Sequence, residues 1–263
     1  MTRSINYFIV SALTVAACLG GCSHLDSTEP DPSELRILTY NVHHCEGTDG
    51  KFDYDRIAGI INDLRPDVAA LQEIDVKTGR ASGVDQAAVL AELTGLNHTF
   101  GRAIDYDSGR YGLAILSRFP LRGVTNTALP TQPGSEPRIA LAARIKPDTG
   151  PAETIFVDTH LCHRNEQVRK MQTTRLNEFV SSENDVPVIL AGDFNALPSS
   201  EPMMVLLESD WLDAVAPQSR IDYVLLRKKD PWKVVEVRVV DEPVASDHDP
   251  VLVTLRWTGV SNN

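Results

Sequence analysis

Short polar motifs close the apolar, strand-like segments of this chain, one after another: Thr39-Tyr40-Asn41, Leu71-Gln72-Glu73, Asp158-Thr159-His160-Leu161, Gly192-Asp193-Phe194-Asn195, Arg220-Ile221-Asp222-Tyr223 and Ser246-Asp247-His248. A strand end is a rigid mount for a functional side chain, so a fold that keeps all of these segments as strands can gather their ends in one place. Two carboxylates suited to a hard cation, two amides and two imidazoles are then available together. Such a set implies metal-assisted hydrolysis of a phosphate ester.

The first 22 residues read as an address rather than as part of the fold. Arg3 gives a basic start, Tyr7 to Leu19 an apolar stretch too short for a membrane span, and Leu19-Gly20-Gly21-Cys22 a small-residue cleavage site. The stretch resembles a bacterial lipoprotein signal, which implies an exported chain held in the cell envelope, as a periplasmic or outer-membrane lipoprotein, through an acylated Cys22. Residues 23–33 are polar and contain Pro30 and Pro32, as in a flexible tether. Residues 34–258 are expected to form one domain, followed by a short tail at 259–263, and a monomer is expected. The full chain carries 25 basic and 36 acidic residues; the signal removes Arg3 and no acid, so the net charge moves from −11 to −12. That balance disfavours nonspecific binding to nucleic acid or anionic lipid, although bound cations can supply local positive charge for either as a substrate. Cys45 and Cys162 are the cysteines left in the domain. A disulfide between them fits an oxidising compartment, and two unpaired thiols are the preferred expectation.

Strands are predicted at Leu35 to Val42, Val68 to Gln72, Gly112 to Ser117, Arg138 to Ile145, Thr154 to His160, Val186 to Ala191, Ile221 to Leu226, Trp232 to Val239 and Pro250 to Trp257. Ile57, Ile60, Ile61 and Leu64 repeat at helical spacing behind Asp53 as N-cap, with Pro66 as the stop. Further helices are predicted from Val84 to Leu93, Asn165 to Val180 and Glu201 to Glu208. The mixture suits two packed β-sheets flanked by helices rather than a singly wound parallel sheet.

Glu73, Asn41 and Asp247 together make an oxygen-rich set for Mg²⁺ or Mn²⁺, since Mg²⁺ takes one or two carboxylates and retains several waters. Gly192-Asp193-Phe194-Asn195 follows an apolar run that would hold its turn at a sheet edge, where Asp193 could orient or deprotonate water and the Asn195 amide could donate to a phosphoryl oxygen. His160 and His248 can move protons, and Asp222 is the natural carboxylate to orient His248.

In this order the motifs at Asn41, Glu73, His160, 192–195, Asp222 and 246–248 resemble those of the endonuclease/exonuclease/phosphatase superfamily, which includes DNase I-like nucleases, bacterial sphingomyelinases and inositol polyphosphate phosphatases. The resemblance implies a four-layer α/β sandwich of two mainly antiparallel sheets flanked by helices, and Mg²⁺-dependent hydrolysis of phosphate esters. It implies Glu73 as the principal metal ligand with Asn41 and Asp247 near the cation. It likewise implies Asp193 and Asn195 at the water and phosphate, Asp222 paired with His248, and His160 on the scissile phosphate. The general base is either Asp193 or the Asp222 and His248 pair. Tyr111 and Arg138 either reach the phosphate or are surface residues; the Arg138 fork suits phosphate oxygens.

Two positions depart from the family pattern. His43, followed by His44, stands where many nuclease relatives carry Asp, and imidazole favours a softer cation, which leaves Mn²⁺ or Zn²⁺ open. Leu113 stands where some relatives have Asn. The expected substrate is a lipid headgroup or small phosphoester rather than DNA or RNA, because no basic cluster is interleaved with aromatics. A secreted nuclease of the same fold is the alternative. A zinc hydrolase of another architecture, using His43, His44, His160 and His163, would leave Gly-Asp-Phe-Asn unexplained. A non-enzymatic binding lipoprotein would not need the full set of catalytic groups.

Overall fold

The computed structural model describes residues 31–259 apart from 182, 184 and 219. The signal with Cys22, the tether up to Pro30 and the tail from 260 lie outside the described residues. Two six-stranded sheets carry the fold. The first runs β11 (Trp232–Val239), β12 (Val251–Trp257), β1 (Glu34–Asn41), β2 (Val68–Val76), β4 (Gly109–Ser117) and β3 (Asn97–Tyr106). The second runs β5 (Arg122–Ala128), β6 (Ile139–Ile145), β7 (Thr154–His160), β8 (Val188–Asp193), β10 (Asp222–Arg227) and β9 (Trp211–Asp213).

Each sheet contains one parallel pair, β1 with β2 and β7 with β8, and its other pairs are antiparallel. Parallel neighbours need a crossover. The helices α1 (Tyr54–Leu64) and α3 (Glu166–Ser181) supply it, while α2 (Gln86–Thr94) and α4 (Glu201–Leu207) pack beside them.

Side chains alternate across a strand, so one strand feeds two cores. Ile37, Val68, Ile115, Leu141, Phe156, Ile189, Val224 and Val253 meet in an apolar layer drawn from both sheets. Leu38, Tyr40, Ala69 and Leu71 point the other way, against Ile57 and Ile61 of α1 and Leu90 of α2. Val157, Leu190, Tyr223 and Leu225 pack on Leu176 of α3 and Met203 of α4. The result is the four-layer order expected, helices, sheet, sheet, helices. α1 forms where its apolar spacing predicts: Asp53 Oδ1 accepts from the Arg56 amide at 2.9 Å, and Arg65, at φ 45°, ends the helix just before Pro66.

The structure adds three strands that the sequence pattern does not reveal. β3, β5 and β9 are edge strands, and β5 is exposed along nearly its whole length, so the apolar alternation that marks a buried strand is missing. β2 also runs past Glu73 to Val76 instead of stopping there. Cys45 and Cys162 are both buried free thiols, the preferred expectation.

Gly192 in β8 sits at φ 145°, and a Cβ there would lie 1.9 Å from the Thr159 carbonyl oxygen of β7. This close approach explains the glycine of Gly-Asp-Phe-Asn, because any side chain would push the parallel pair apart. Gly192→Ala is expected to cost about 2 kcal/mol or more, lowering the thermal midpoint by about 4 °C or more. A midpoint equal to wild type would show that the strands absorb the methyl group without cost.

Candidate active site

The same alternation that builds the inter-sheet core continues into polar residues at one end of it. On β1, Leu35 and Ile37 are followed on that face by Thr39 and Asn41; on β2, Val68 and Ala70 are followed by Gln72. On β7, Phe156 gives way to Asp158 and His160, and on β8, Ile189 and Ala191 give way to Asp193. Asp222 opens β10 directly opposite Asp193, which in turn is level with His160. The C-terminal ends of both parallel pairs therefore deliver the site. Ser246 clamps the last motif to β1: its hydroxyl donates to the Asn41 carbonyl at 2.7 Å and accepts from the His248 amide at 3.2 Å.

Asp193 is the hub. Its Oδ2 accepts from Asn41 Nδ2 at 3.2 Å and lies 3.4 Å from His160 Nε2 and 3.7 Å from His248 Nε2, while Oδ1 accepts from the Asn195 amide at 2.8 Å. Asn195, at φ 50°, also donates from Nδ2 to the Leu161 carbonyl at 3.1 Å. Asn41 Nδ2 further donates to Glu73 Oε1 at 3.1 Å, so this amide bridges two carboxylates, and its oxygen accepts from the His43 amide at 3.1 Å. His248 Nδ1 meets Asp222 Oδ2 at 3.0 Å. That leaves Nε2 of His248 turned to Asp193, in the order carboxylate, imidazole, reacting group.

Burial and the neighbouring Asp222 push the Asp193 carboxyl up to about 7, against the pull of His248 and its hydrogen bonds. Burial works against a charged His248, yet the hydrogen bond to Asp222 and the negative field of Asp222 and Asp193 outweigh it and raise its pKa to about 9. His160 moves the other way: burial, then the adjacent Arg138, hold it well below its ordinary value. Arg138 Nη1 lies 3.0 Å from His160 Nδ1. A guanidinium can only donate, so His160 carries its proton on Nε2, facing Asp193. Burial opposes the charge on Glu73, but the facing His44, the nearby His160, the hydrogen bond from Asn41 and the nearby His43 keep this carboxylate well below the usual range.

Glu73 reaches the site through a defect in the sheet. Leu71 pairs with Ala114 and Ile74 with Gly112, so Gln72 and Glu73 together oppose a single residue, Leu113. At this β-bulge Glu73 takes φ 63°. An unbroken strand would send Glu73 to the helix side, after Ala69 and Leu71; beyond the bulge that side belongs to Ile74 and Val76 instead. Leu113 itself is part of the inter-sheet core, and no phosphate contact comes from it.

Asn41, Glu73, His160, Asp193, Asn195, Asp222 and His248 thus form one contact network, and Arg138 joins it through His160. Arg138 and Tyr111 are both buried, so neither is a surface residue. Tyr111 bonds to Arg138 and shares with Glu73, Arg80, Tyr106 and Glu136 a small cleft of about 130 Å³. Asp247 is exposed and lines a separate cleft of about 460 Å³ with Asp222 and His248; among the described hydrogen bonds it has none to Glu73. His43 and His44 stand beside Glu73, whereas His160 and His163 stand on Arg138, so the four histidines do not form one zinc cluster.

Two groups of neighbours are missing from the sequence expectations. Gln72 Nε2 donates to Asp158 Oδ1 across the sheets at 2.7 Å, and burial raises the Asp158 pKa well above its ordinary value. A polar residue on the inward face of an otherwise apolar strand is the available signal for both. Arg80 grips the buried Asp75 at 2.6 and 2.9 Å and lies over the Tyr106 ring at 4.7 Å. No strand-end motif marks it.

Comparison with known proteins agrees with this architecture. YbhP of Escherichia coli K12 is 28% identical over 179 residues, spanning 63% of this chain and 70% of that protein. The crystal structure of an endonuclease/exonuclease/phosphatase from Beutenbergia cavernae superposes with a TM-score of 0.71 at 26% identity, covering 86% of this chain and 72% of that one. The Bacteroides thetaiotaomicron mannosyl-6-phosphatase Bt3783 shares the fold at a TM-score of 0.69 and 18% identity, over 85% of this chain and 100% of that one. The sequence profile of the endonuclease/exonuclease/phosphatase family matches residues 38–248, from β1 to the last site motif, and with the two-sheet sandwich in place this chain belongs to that family, whose members hydrolyse phosphate esters.

Proposed function

We propose that the chain hydrolyses a phosphate ester at the inter-sheet site, with water as the nucleophile and a divalent cation bound beside Glu73. The observation that carries this reading is the placement of Asp193, a buried carboxylate facing the Nε2 atoms of two imidazoles at 3.4 and 3.7 Å. The donor set fits a cation: Glu73 is held ionised, one ligand atom from each of His43, His44 and Glu73 lies within 4.8 Å of the others, and the buried His44 Nδ1 has no hydrogen-bond partner. Glu73 would hold the ion, with Asn41 and Asp247 as its other proposed ligands. When bound, the ion supplies charge stabilisation at the phosphoryl oxygens and lowers the pKa of water.

The protein groups divide the remaining work. Asp193 takes the proton from the attacking water, since its carboxyl is pushed up to about 7, a value suited to a base near neutrality, and Asn195 fixes its orientation. His248, charged and held by Asp222, and His160, which presents Nε2–H, donate to the phosphoryl oxygens as negative charge grows there. Arg138 fixes the His160 tautomer from behind, and Tyr111 braces Arg138.

A small phosphoester or lipid headgroup is favoured over nucleic acid, because the chain is acidic, with a net charge of −11, and the cleft next to Glu73 also bears Glu136. Export and a lipid anchor at Cys22 complete the proposal. In a bacterial host, Cys22→Ser should abolish incorporation of labelled palmitate and shift the protein out of the membrane fraction; unchanged labelling would refute the anchor.

Residues 23–263 should be offered bis-p-nitrophenyl phosphate, sphingomyelin, phosphoinositides and plasmid DNA, each with Mg²⁺, Mn²⁺, Zn²⁺ or EDTA. Turnover should require a metal, and Glu73→Gln and His248→Ala should each lower kcat by about 10²-fold or more, with the circular dichroism spectrum unchanged. Full turnover in either variant sinks the role assignments. The metal-free protein also has a defined pH response. The folded pKa of His248 is raised to about 9, so its stabilising contribution is complete below the unfolded value near 6.5 and is lost as pH rises through 9. In EDTA the thermal midpoint should therefore fall between pH 7 and 9.5, by a contribution on the order of 2–3 kcal/mol. His248→Gln should flatten that slope; an equal slope in the variant would place the titrating group elsewhere.

A further inference from the structure

The turn after β1 is shaped around two imidazole nitrogens. His43, His44 and Cys45 follow one another at φ 44°, 44° and 60°, three successive side-chain-bearing residues in left-handed conformation. Each costs about 1–2 kcal/mol relative to ordinary backbone, and the surroundings hold the turn in place. The His43 amide donates to Asn41 Oδ1 at 3.1 Å, Gln86 Nε2 donates to the His44 carbonyl at 2.6 Å, and the Asp53 amide donates to the Cys45 carbonyl at 3.1 Å.

The turn presents both rings to Glu73 with their rear nitrogens fixed by one residue, Glu46. His44 Nε2 lies 3.1 Å from the Glu46 carboxylate, and His43 Nδ1 lies 2.9 Å from the Glu46 carbonyl oxygen. Both partners are acceptors, so in the neutral rings the protons sit on these nitrogens and the lone pairs sit on His44 Nδ1 and His43 Nε2. His44 is only 6% exposed, and its Nδ1 is buried without a hydrogen-bond partner. It faces Glu73 Oε2 at 3.7 Å. Two acceptors that confront each other beyond hydrogen-bonding distance are not satisfied by a shared proton. They are satisfied by a cation, because two ligands each about 2.1 Å from one ion lie about 3–4 Å apart. One ligand atom from each of His43, His44 and Glu73 falls within 4.8 Å of the others.

An imidazole whose second nitrogen donates to a carboxylate or carbonyl is the arrangement that orients histidine on a metal. We infer that His43, His44 and Glu73 form a two-histidine, one-carboxylate site for a divalent transition-metal ion of the Zn²⁺ and Co²⁺ class in preference to Mg²⁺, with Glu46 positioning both rings. Nitrogen ligands suit such ions, whereas Mg²⁺ prefers oxygen. This inference rests on the proposed hydrolytic site, since Glu73 belongs to both and its bond to Asn41 connects the ion position to Asp193.

The test uses the folded chain from residue 23, stripped with chelator and titrated calorimetrically with Zn²⁺, Co²⁺ and Mg²⁺, with the electronic spectrum of the Co²⁺ form as a direct sign of nitrogen ligation. Zn²⁺ should bind more than about tenfold more tightly than Mg²⁺. His44→Gln should weaken Zn²⁺ binding and shift the Co²⁺ bands, and Glu46→Gln, which keeps both rings, should cost about 10–100-fold in Zn²⁺ affinity. Equal affinities for Zn²⁺ and Mg²⁺ in the wild type, or an unchanged Zn²⁺ affinity in Glu46→Gln, overturn the inference. If His44→Gln fails to fold, Glu46→Gln and the Co²⁺ spectrum of the wild type decide alone. Loss of turnover in Glu73→Gln without a Zn²⁺ preference refutes this site and leaves the hydrolase standing. Turnover retained in Glu73→Gln refutes the catalytic role given to Glu73, and the wild-type titration still reads the metal site.

Discussion

Two sheets that share one apolar interior must agree on where that interior ends. Here each sheet is built around a parallel pair, β1 with β2 and β7 with β8, and both pairs bring their C-terminal ends to the same edge of the inter-sheet layer. The inward face of every one of these strands changes from aliphatic to polar at that edge. Gln72 reaching across to Asp158 is the first polar contact beyond the apolar layer, and the network around Asp193 lies one pleat further out. The site is therefore the polar rim of the main core, and its geometry is set by how the sheets pack.

That location exacts a cost in folding free energy. Asn41, Asp158, His160 and Asp193 are all buried, and an unpartnered polar group in such a place is costly. The structure offsets this by pairing nearly all of them with one another, and it concentrates the residual conflict on a few atoms, among them His44 Nδ1, Gln72 Oε1 and Asp158 Oδ2. Backbone strain follows the same map: His43, His44, Glu73 and Asn195 all take positive φ around the site. Strain persists only where the surroundings over-determine it, and the large apolar layers behind the site supply that support.

The titratable groups are also sorted by environment. Asp193 and His248 lie 3.7 Å apart, and the field that raises one raises the other, so a carboxyl near neutrality stands next to an imidazolium. His160 shares the same carboxylate but stays neutral because it is buried and because Arg138 occupies its other nitrogen. Two histidines placed about one acid thus receive different protonation states from their rear partners, a carboxylate in one case and a guanidinium in the other.

Much of this was legible in the chain itself. The strands that line the core, the helix capped by Asp53, and the polar motifs at strand ends all follow from local pattern, because alternation and helical spacing are properties of neighbouring residues. The sequence alone also determined which side chains share the inward face, since the pleat has a fixed period of two. Tertiary structure decided the rest. The edge strands β3, β5 and β9 exist only because a neighbour offers hydrogen bonds. The bulge that turns Glu73 inward depends on the register of β2 against β4, and the pairing of Gln72 with Asp158 joins residues 86 positions apart. The left-handed turn that aims His44 at Glu73 is held by Gln86 and Glu46, residues outside the turn itself. Local sequence sets what each segment prefers, but contacts between distant segments are fixed only when the two sheets close on each other, and those contacts give this site its shape.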